Sequence, residues 1–351
     1  MFKYEIEERK YKVEKMIKFN LKKVVLAGIF CLCGTISIFA QIPTSTPNPS
    51  PTPELLNLET ILKNADAQTL NYREEFKNLL SEETKTFETF DKNGKLKKRT
   101  VVESNFIIYQ SARDANASSE YRYVFKVDGK LVGDSEKRTT ELFEKIAKSD
   151  SVQQELERIQ KESLRFDKNL KITDLTLVQT PLFADHLRPF FDFKYLGRDV
   201  DGQTFMVEYQ QTKQSPYILI DEENADSEKR NLTFNLGLPD SIKKSNVLLR
   251  GKFWIDAETF QLRREERELT LQTENSSAPL VLLRTEYEYQ PSDFKIYAPK
   301  KITLTYYELK IKDKGREAAA ILNTKATFEY AKFSKSDVEV KSNEVNSPKN
   351  Q

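Results

Sequence analysis

The chain has 351 residues, of which 38% are hydrophobic and 31% are charged, so it can bury a core beneath a strongly charged surface. It contains only 10 glycines and neither of the glycine-rich phosphate-binding patterns, which argues against a nucleotide site. Residues 1–40 hold eight of the 56 basic and four of the 54 acidic residues, which leaves 48 basic and 50 acidic residues in 41–351. A segment this close to neutral has no overall attraction for nucleic acid.

The first element along the chain is an export signal. Residues 24–40 form an uncharged stretch of 17 residues that follows three lysines at positions 18, 22 and 23. A basic segment followed by an apolar one is typical of a signal peptide, so we predict a leader over residues 1–40 that is cleaved between Ala40 and Gln41. If the leader is not cleaved, its 17 apolar residues reach the short limit of a membrane span and anchor the protein in the inner membrane. The basic region is unusually long, which leaves Met1 and Met16 as alternative starts.

Both cysteines, Cys31 and Cys33, lie within this leader. They follow Phe30 and Leu32, and not the small residue that a lipoprotein signal needs, so we do not predict lipid modification. The exported part therefore has no cysteine and can form neither a disulfide nor a thiolate metal site.

A linker separates the leader from the folded part. Residues 41–53 contain five prolines among serine and threonine, a composition that stays extended. Thr52 and Pro53 form a helix start, and apolar residues at helical spacing predict a helix from about 54 to 80. We predict one domain over residues 54–333, followed by a disordered tail over 334–351.

Most of the remaining chain has the alternation of β-strands. Turn signals at Asn93-Gly94, Asp128-Gly129 and Asp201-Gly202 separate runs rich in phenylalanine and tyrosine. Residues 135–166 return to helical spacing, with a capping box at Ser151 and Gln154. Residues 221–246 are predicted to be an acidic loop.

Successive strands joined by short turns make an antiparallel meander, and about ten strands in one sheet curl. The predicted fold is therefore mainly β (α+β): a half-open antiparallel β-barrel, with the N-terminal helix packed on it and the helical insert covering one end.

The sequence contains no recognisable catalytic motif. His186, the single histidine, follows Asp185, but no serine motif accompanies them, and we interpret His186 as structural or solvated. The acidic residues from Asp221 to Glu228 lack the spacing of a calcium loop. Residues 263–268 place charge on both faces of a strand, which predicts an exposed or edge strand with cross-strand ion pairs. We therefore predict no enzyme activity, no metal site and no cofactor.

The aromatic strand faces are the remaining feature. A concave sheet gives them a shared inner surface, which either fills with the protein's own side chains or leaves a cavity for a lipid. The residues expected to line this surface are Tyr123, Phe125, Phe193, Tyr195, Phe253, Ile255, Tyr287 and Tyr289.

Two resemblances add to this interpretation. The element order and the segment 251–259, with its Arg/Glu-rich continuation, resemble the outer-membrane lipoprotein carrier and sorting proteins, periplasmic half-barrels that hold acyl chains under helical lids. Motifs such as Gly251-x-x-Trp-Ile-Asp256 and Ala326-Thr-Phe-x-Tyr330-x-x-Phe333 also resemble a family of exported, uncharacterised proteins of soil bacteria of acidobacterial type, which transfers no activity.

Three functions remain open from the sequence. The first is an exported, non-catalytic protein of the periplasm or envelope that carries or senses a lipid or lipoprotein acyl chain. The second is a structural or protein-interaction module of the envelope with a fully packed barrel. The third is a carboxylate-dependent hydrolase. The partners expected are a lipid or lipoprotein, or an envelope protein, with membrane contact only through an uncleaved leader.

Overall fold

The computed structural model describes residues 57–114, 117–167, 182–221, 232–273, 278–312 and 317–335. The predicted leader, its cleavage site, the proline-rich linker and most of the tail lie outside these ranges. In chain order the elements are α1 (Leu58–Phe76), β1 (Leu79–Phe90), β2 (Leu96–Gln110), β3 (Ser118–Val127), β4 (Lys130–Leu131), α2 (Ser135–Ala147), α3 (Val152–Ser163), β5 (Phe191–Arg198), β6 (Thr204–Gln211), β7 (Ile218–Ile220), β8 (Leu232–Phe234), β9 (Val247–Asp256), β10 (Leu262–Leu271), β11 (Leu280–Pro291), β12 (Tyr297–Lys312) and β13 (Glu317–Lys335).

Eleven of these strands form one antiparallel sheet in the order β4-β3-β2-β1-β13-β12-β11-β10-β9-β6-β5. The sheet does not close, because β4 and β5 remain at its two ends. The last strand, β13, pairs with the first, β1, so the two halves of the chain meet in the middle of the sheet. The predicted fold class, a mainly β half-open barrel with helices, is confirmed.

Helix α1 packs on one face of the sheet, which we call the inner face. Asn57 caps the helix by accepting the Thr60 amide at 2.8 Å. At its other end, Phe76 lies 6.3 Å from Phe106 and 6.4 Å from Phe333, measured between ring centroids. The helix ends at Phe76 and not near residue 80 as predicted, because Leu79 and Leu80 already pair with other strands.

The predicted turns are found between strands. Gly94, Gly129 and Gly202 all have positive φ angles, between 72° and 76°, which only glycine adopts readily. The predicted loop over residues 221–246 is wrong in one part. Residues 232–234 form β8, which pairs in parallel with β7 as a small second sheet.

Helices α2 and α3 cover one margin of the sheet, as predicted. The Ser163 hydroxyl, at the end of α3, accepts the Arg122 amide of β3 at 3.1 Å and donates to the Glu120 carbonyl oxygen at 2.6 Å. Backbone groups of β3 that lack a neighbouring strand are thus satisfied by a helix side chain. The predicted cap at Ser151 is confirmed, since its hydroxyl accepts the Gln154 amide.

Strand β10 corrects the interpretation of residues 263–268. It lies inside the sheet between β9 and β11 rather than at an edge. Its inward side chains Glu265 and Arg267 are buried, and they pair with each other at 2.8 Å. Because these two charges lie on the same face and neutralise each other, a central strand can carry them. The expected cross-strand pairs are present on the other face, where Glu268 binds Arg250 and Arg284.

Candidate functional site

The inner face is the candidate site. Strand pairing places one continuous row of side chains across it, from β5 at one end to β1 near the middle of the sheet. The members of this inner row are Tyr195, Val207, Phe253, Glu265, Tyr287, Ile302, Phe328 and Lys85. The row is apolar except at Glu265 and Lys85, and it runs perpendicular to the strands.

Several pieces of chain cover the inner face within the described ranges, among them helix α1, the segment 182–190 and the segment after β8. Helix α1 contacts it through Tyr72, whose ring lies 6.2 Å from that of Tyr289. The segment 182–190 contacts it through Phe183, whose ring lies 5.0 Å from that of Phe253. The segment after β8 contacts it through the Leu236 carbonyl oxygen, which accepts the Tyr306 hydroxyl at 2.8 Å.

Six of the eight predicted lining residues belong to this face or its core. Phe253, Ile255 and Tyr289 are buried in the main hydrophobic cluster, and Phe193 and Tyr287 pack against it while partly buried. Tyr195 lies at the end of the inner row and is 38% exposed. Phe253 and Ile255 have no exposed surface, so their side chains are core in this structure.

The other two predicted residues lie elsewhere. On β3 the inward side chains are Arg122 and Val124, which pair with Phe106 and Ser104. Tyr123 therefore points to the opposite face, where it joins a second cluster formed with α2 and α3. Phe125 occupies the bulge between two pairings of β3 with β2. The expectation of one shared lining does not hold for Tyr123.

Two buried charge clusters interrupt the apolar inner face, and the sequence interpretation missed both. In the first, the Tyr209 hydroxyl donates to Glu265 at 3.0 Å, and Arg267 donates to the same carboxylate at 2.8 Å. Burial raises the pKa of Tyr209 well above its usual value, and the negative charge of Glu265 is the second cause of this rise. The phenol therefore stays protonated and donates.

The second cluster lies on β1 and β3. Arg122 donates to both oxygens of Glu83, at 2.8 and 3.1 Å, and Ser104 donates to one of them at 3.2 Å. Lys85 donates to Asp167, which follows α3, at 2.7 Å. These charged side chains are at most 5% exposed. In the sequence, only the spacing of two residues between Ser81, Glu83 and Lys85 could have indicated that their side chains lie on the same face of the strand.

The pKa values of Glu83 and Lys85 in this second cluster depend on the charged side chains next to them. Burial acts to raise the pKa of Glu83, but Arg122 and Lys85 outweigh it and hold that pKa below its usual value. Burial, followed by the nearby Arg122 charge, lowers the pKa of Lys85, against the opposing effects of Glu83 and Asp167. The cluster thus holds a lysine whose charge depends on its carboxylate partners.

The opposite, outer face carries a groove of about 730 Å³ across β5, β6, β9, β10 and β11. Its lining is strongly charged, and opposite charges alternate between neighbouring strands, as in the pairings of Lys194 with Glu208 and Lys252 with Glu266. Arg250, Glu268 and Arg284 continue it as an ion-pair network. This groove includes β10, the strand that carries the charged residues 263–268.

The remaining candidates from the sequence are His186 and the acidic cluster that begins at Asp221, and both make contacts within the protein. His186 is exposed, with its ring 4.9 Å from that of Tyr217, while Asp185 pairs with Arg188. Asp221 accepts three backbone amides, from Leu236 to Leu238, at 2.5 to 2.8 Å. The other acidic residues of its cluster lie outside the described ranges.

The described ranges also lack two other features. No cluster of three or more potential metal ligands occurs there. No helix there is both long and apolar enough to span a bilayer.

No family model matches the chain. No curated protein matches it either. Among solved structures, it is similar to a putative outer membrane lipoprotein-sorting protein domain from Vibrio parahaemolyticus, with 9% identity and a TM-score of 0.30, over 79% of this chain and 94% of that one.

Two further solved structures are also similar to the chain. A DUF1329 family protein from Desulfovibrio piger is 9% identical with a TM-score of 0.28, over 78% of this chain and 92% of that one. A LolA superfamily protein from Nitrosomonas europaea is 10% identical with a TM-score of 0.26, over 80% and 94%. The resemblance to a soil-bacterial family stays a prediction.

Proposed function

We propose that the protein is an exported, non-catalytic carrier or sensor of the bacterial envelope that holds an acyl chain against the inner face. The observation that carries this proposal is a wide apolar sheet face whose hydrophobic cluster is completed by helix α1, loop segments and the small β7–β8 sheet. The predicted leader supports placement in the periplasm or envelope. The inner-membrane anchor through residues 24–40 gains no support.

Helix α1 is the element best suited to make room for a ligand. Its ring contacts with Tyr289 and Phe106 are between side chains, so breaking them leaves the strand hydrogen bonds in place. Its link to β1 is the short turn at Lys77 and Asn78. A movement of α1 therefore uncovers Phe106 and Tyr289 while the sheet stays intact.

The free energy that is lost when α1 leaves the sheet is similar to the free energy that is gained when an acyl chain is buried there. Withdrawing α1 exposes four large apolar side chains, Ile61, Leu62, Tyr72 and Phe76, at a cost of roughly 2 kcal/mol each, together with the smaller Ala65, or about 9 kcal/mol in all. A long acyl chain gains about 0.8 kcal/mol for each buried methylene, or about 11 kcal/mol for a chain of about 14 methylenes. An acyl chain can therefore replace the helix at little net cost.

Lipid extraction tests this proposal. The protein is purified from the exported soluble fraction, extracted with organic solvent, and analysed for lipid by mass spectrometry before and after incubation with total membrane lipid. We expect close to one acyl lipid for each chain. Phe253→Gln, on the inner face, should lower the ratio at least five-fold, whereas Trp254→Gln, one residue along on the outer face, should leave it unchanged.

Circular dichroism and urea unfolding of both variants establish that they are folded. Extracts that stay free of lipid after incubation would contradict the proposal. Equal lipid content in both variants would contradict the assignment to the inner face.

A second candidate function is a protein-interaction module, which the charged outer groove favours. Complementary charge across an interface speeds association and is weakened by salt. Crosslinking in intact cells tests it, with a photoreactive amino acid at Lys252 in the groove and at Lys126 on another part of the outer face. Capture of one protein partner from Lys252 and not from Lys126 would favour this function.

A further inference from the structure

Lys85 occupies an unusual position for a lysine. It is 1% exposed, and its ammonium group lies 5.6 Å from the ring centroids of both Phe87 and Phe328. Its neighbour Glu83 accepts two hydrogen bonds from the Arg122 Nε, and the anion that accepts from the Lys85 ammonium is Asp167. Replacing a buried ion pair by an apolar pair of similar volume is often neutral or stabilising, so the Lys85–Asp167 pair is weak evidence for a role in stability.

Asp167 is a loosely satisfied partner. One oxygen accepts from Lys85, while the other is buried and accepts no hydrogen bond from the described residues. A buried carboxylate oxygen without a partner is costly. Asp167 also comes from the turn after α3 and not from the sheet, so it can leave Lys85 without breaking strand pairing.

Lys85 also stands in line with the apolar side chains of the inner row. The pairings run from Lys85 through Phe328, Ile302 and Tyr287 to Glu265 and Phe253. The distance from β1 to β9 is five strand spacings, or about 24 Å at ~4.8 Å each. This length is comparable with an extended long acyl chain, and Arg267 neutralises the Glu265 charge along the way.

We propose that Lys85 binds the anionic head of the acyl ligand, a carboxylate or phosphate, and that Asp167 occupies that anion position in this structure. The inference rests on the proposed function and adds the ligand class: a single acyl chain with a negatively charged end. The head replaces Asp167 at the ammonium group, and the tail follows the inner row toward Phe253. Arg122 keeps Glu83 paired and away from the incoming anion.

Headgroup preference tests the inference. Binding of dodecanoate and of dodecanol to the protein purified from its exported fraction is measured by titration calorimetry at pH 7. We expect dodecanoate to bind at least ten-fold more tightly than dodecanol. In the double variant Lys85→Met/Asp167→Leu, which replaces the buried ion pair by apolar side chains, the two affinities should become equal and dodecanol binding should persist.

Two further variants sharpen the result. Asp167→Asn removes the competing anion, so it should raise the dodecanoate affinity several-fold without raising that of dodecanol. Lys126→Met, in the half-exposed pair with Glu103, is the matched control and should keep the ten-fold preference.

The outcomes separate the two proposals. Failure of both ligands to bind the unaltered protein would overturn the acyl-binding function itself. Equal affinities in the unaltered protein, or a preference that survives in Lys85→Met/Asp167→Leu, would overturn the headgroup assignment alone. Acetate or inorganic phosphate binding as tightly as dodecanoate would also overturn it, because the site would then be one for a free anion.

Discussion

Gly251 is a position where the backbone leaves no room for a side chain. A Cβ atom there would collide with the Glu266 carbonyl oxygen and lie 2.5 Å from the Tyr209 hydroxyl oxygen. Gly251→Ala should therefore lower the free energy of unfolding by about 3 kcal/mol, at the upper end of overpacking effects. Urea unfolding measures this, with Gly133→Ala as control, since no atom lies within 4 Å of a Cβ at Gly133. Equal stability of the two variants would show that β9 moves freely at this point.

Asp256 makes stability depend on pH. Burial acts to raise its pKa, but hydrogen bonds from Thr259 and Glu258, with the charge of Arg263, hold the pKa below the usual 3.8. A lowered pKa means that the carboxylate stabilises the fold fully above about pH 3.8 and progressively less as the pH falls below it. Asp256→Asn should be clearly less stable than the unaltered protein at pH 7, and the difference should shrink toward pH 3. A difference that is constant over this range, measured by urea unfolding, would exclude the charge as the cause.

Helix α1 and the sheet differ in how they are held. The helix depends on a few side chains such as Tyr72, whereas each inner strand is held by two hydrogen-bonded neighbours. Tyr72→Ala should therefore speed hydrogen exchange of the α1 amides at least ten-fold and leave β10 and β11 unchanged, because local opening needs less free energy than global unfolding. Leu70→Ala, at a residue that is 57% exposed, is the control and should change neither. Equal acceleration in helix and sheet would show that α1 is not an independently moving cover.

Local sequence patterns predict the fold of the whole molecule better than they predict its candidate site. Alternation and turn residues such as Asn93-Gly94 predicted the strands, because they act over a few neighbours. They could not predict that β13 pairs with β1, or that β10 lies inside the sheet, because those facts depend on partners distant in sequence. Tyr123 and Arg122 show the consequence, since a single strand pattern does not say which of its faces is inner.

The buried charges illustrate the same limit. Lys85 and Asp167 are 82 residues apart, and each alone is typical of a solvated surface. Only the assembled sheet makes them partners in an apolar setting. The features that give this protein a candidate ligand site are thus the ones that local sequence patterns describe least well.

Placing the single tryptophan on either side of the sheet tests the acyl-binding claim most directly. The native Trp254 lies on the outer face, with the Arg264 guanidinium 4.6 Å from its ring. Tyr287→Trp in a Trp254→Phe background moves the fluorophore to the inner row. Brominated fatty acid quenches tryptophan on contact, so it should quench the fluorescence at position 287 strongly and saturably while leaving that of Trp254 unchanged. Equal quenching at both positions, or quenching of Trp254 alone, would contradict an acyl chain on the inner face.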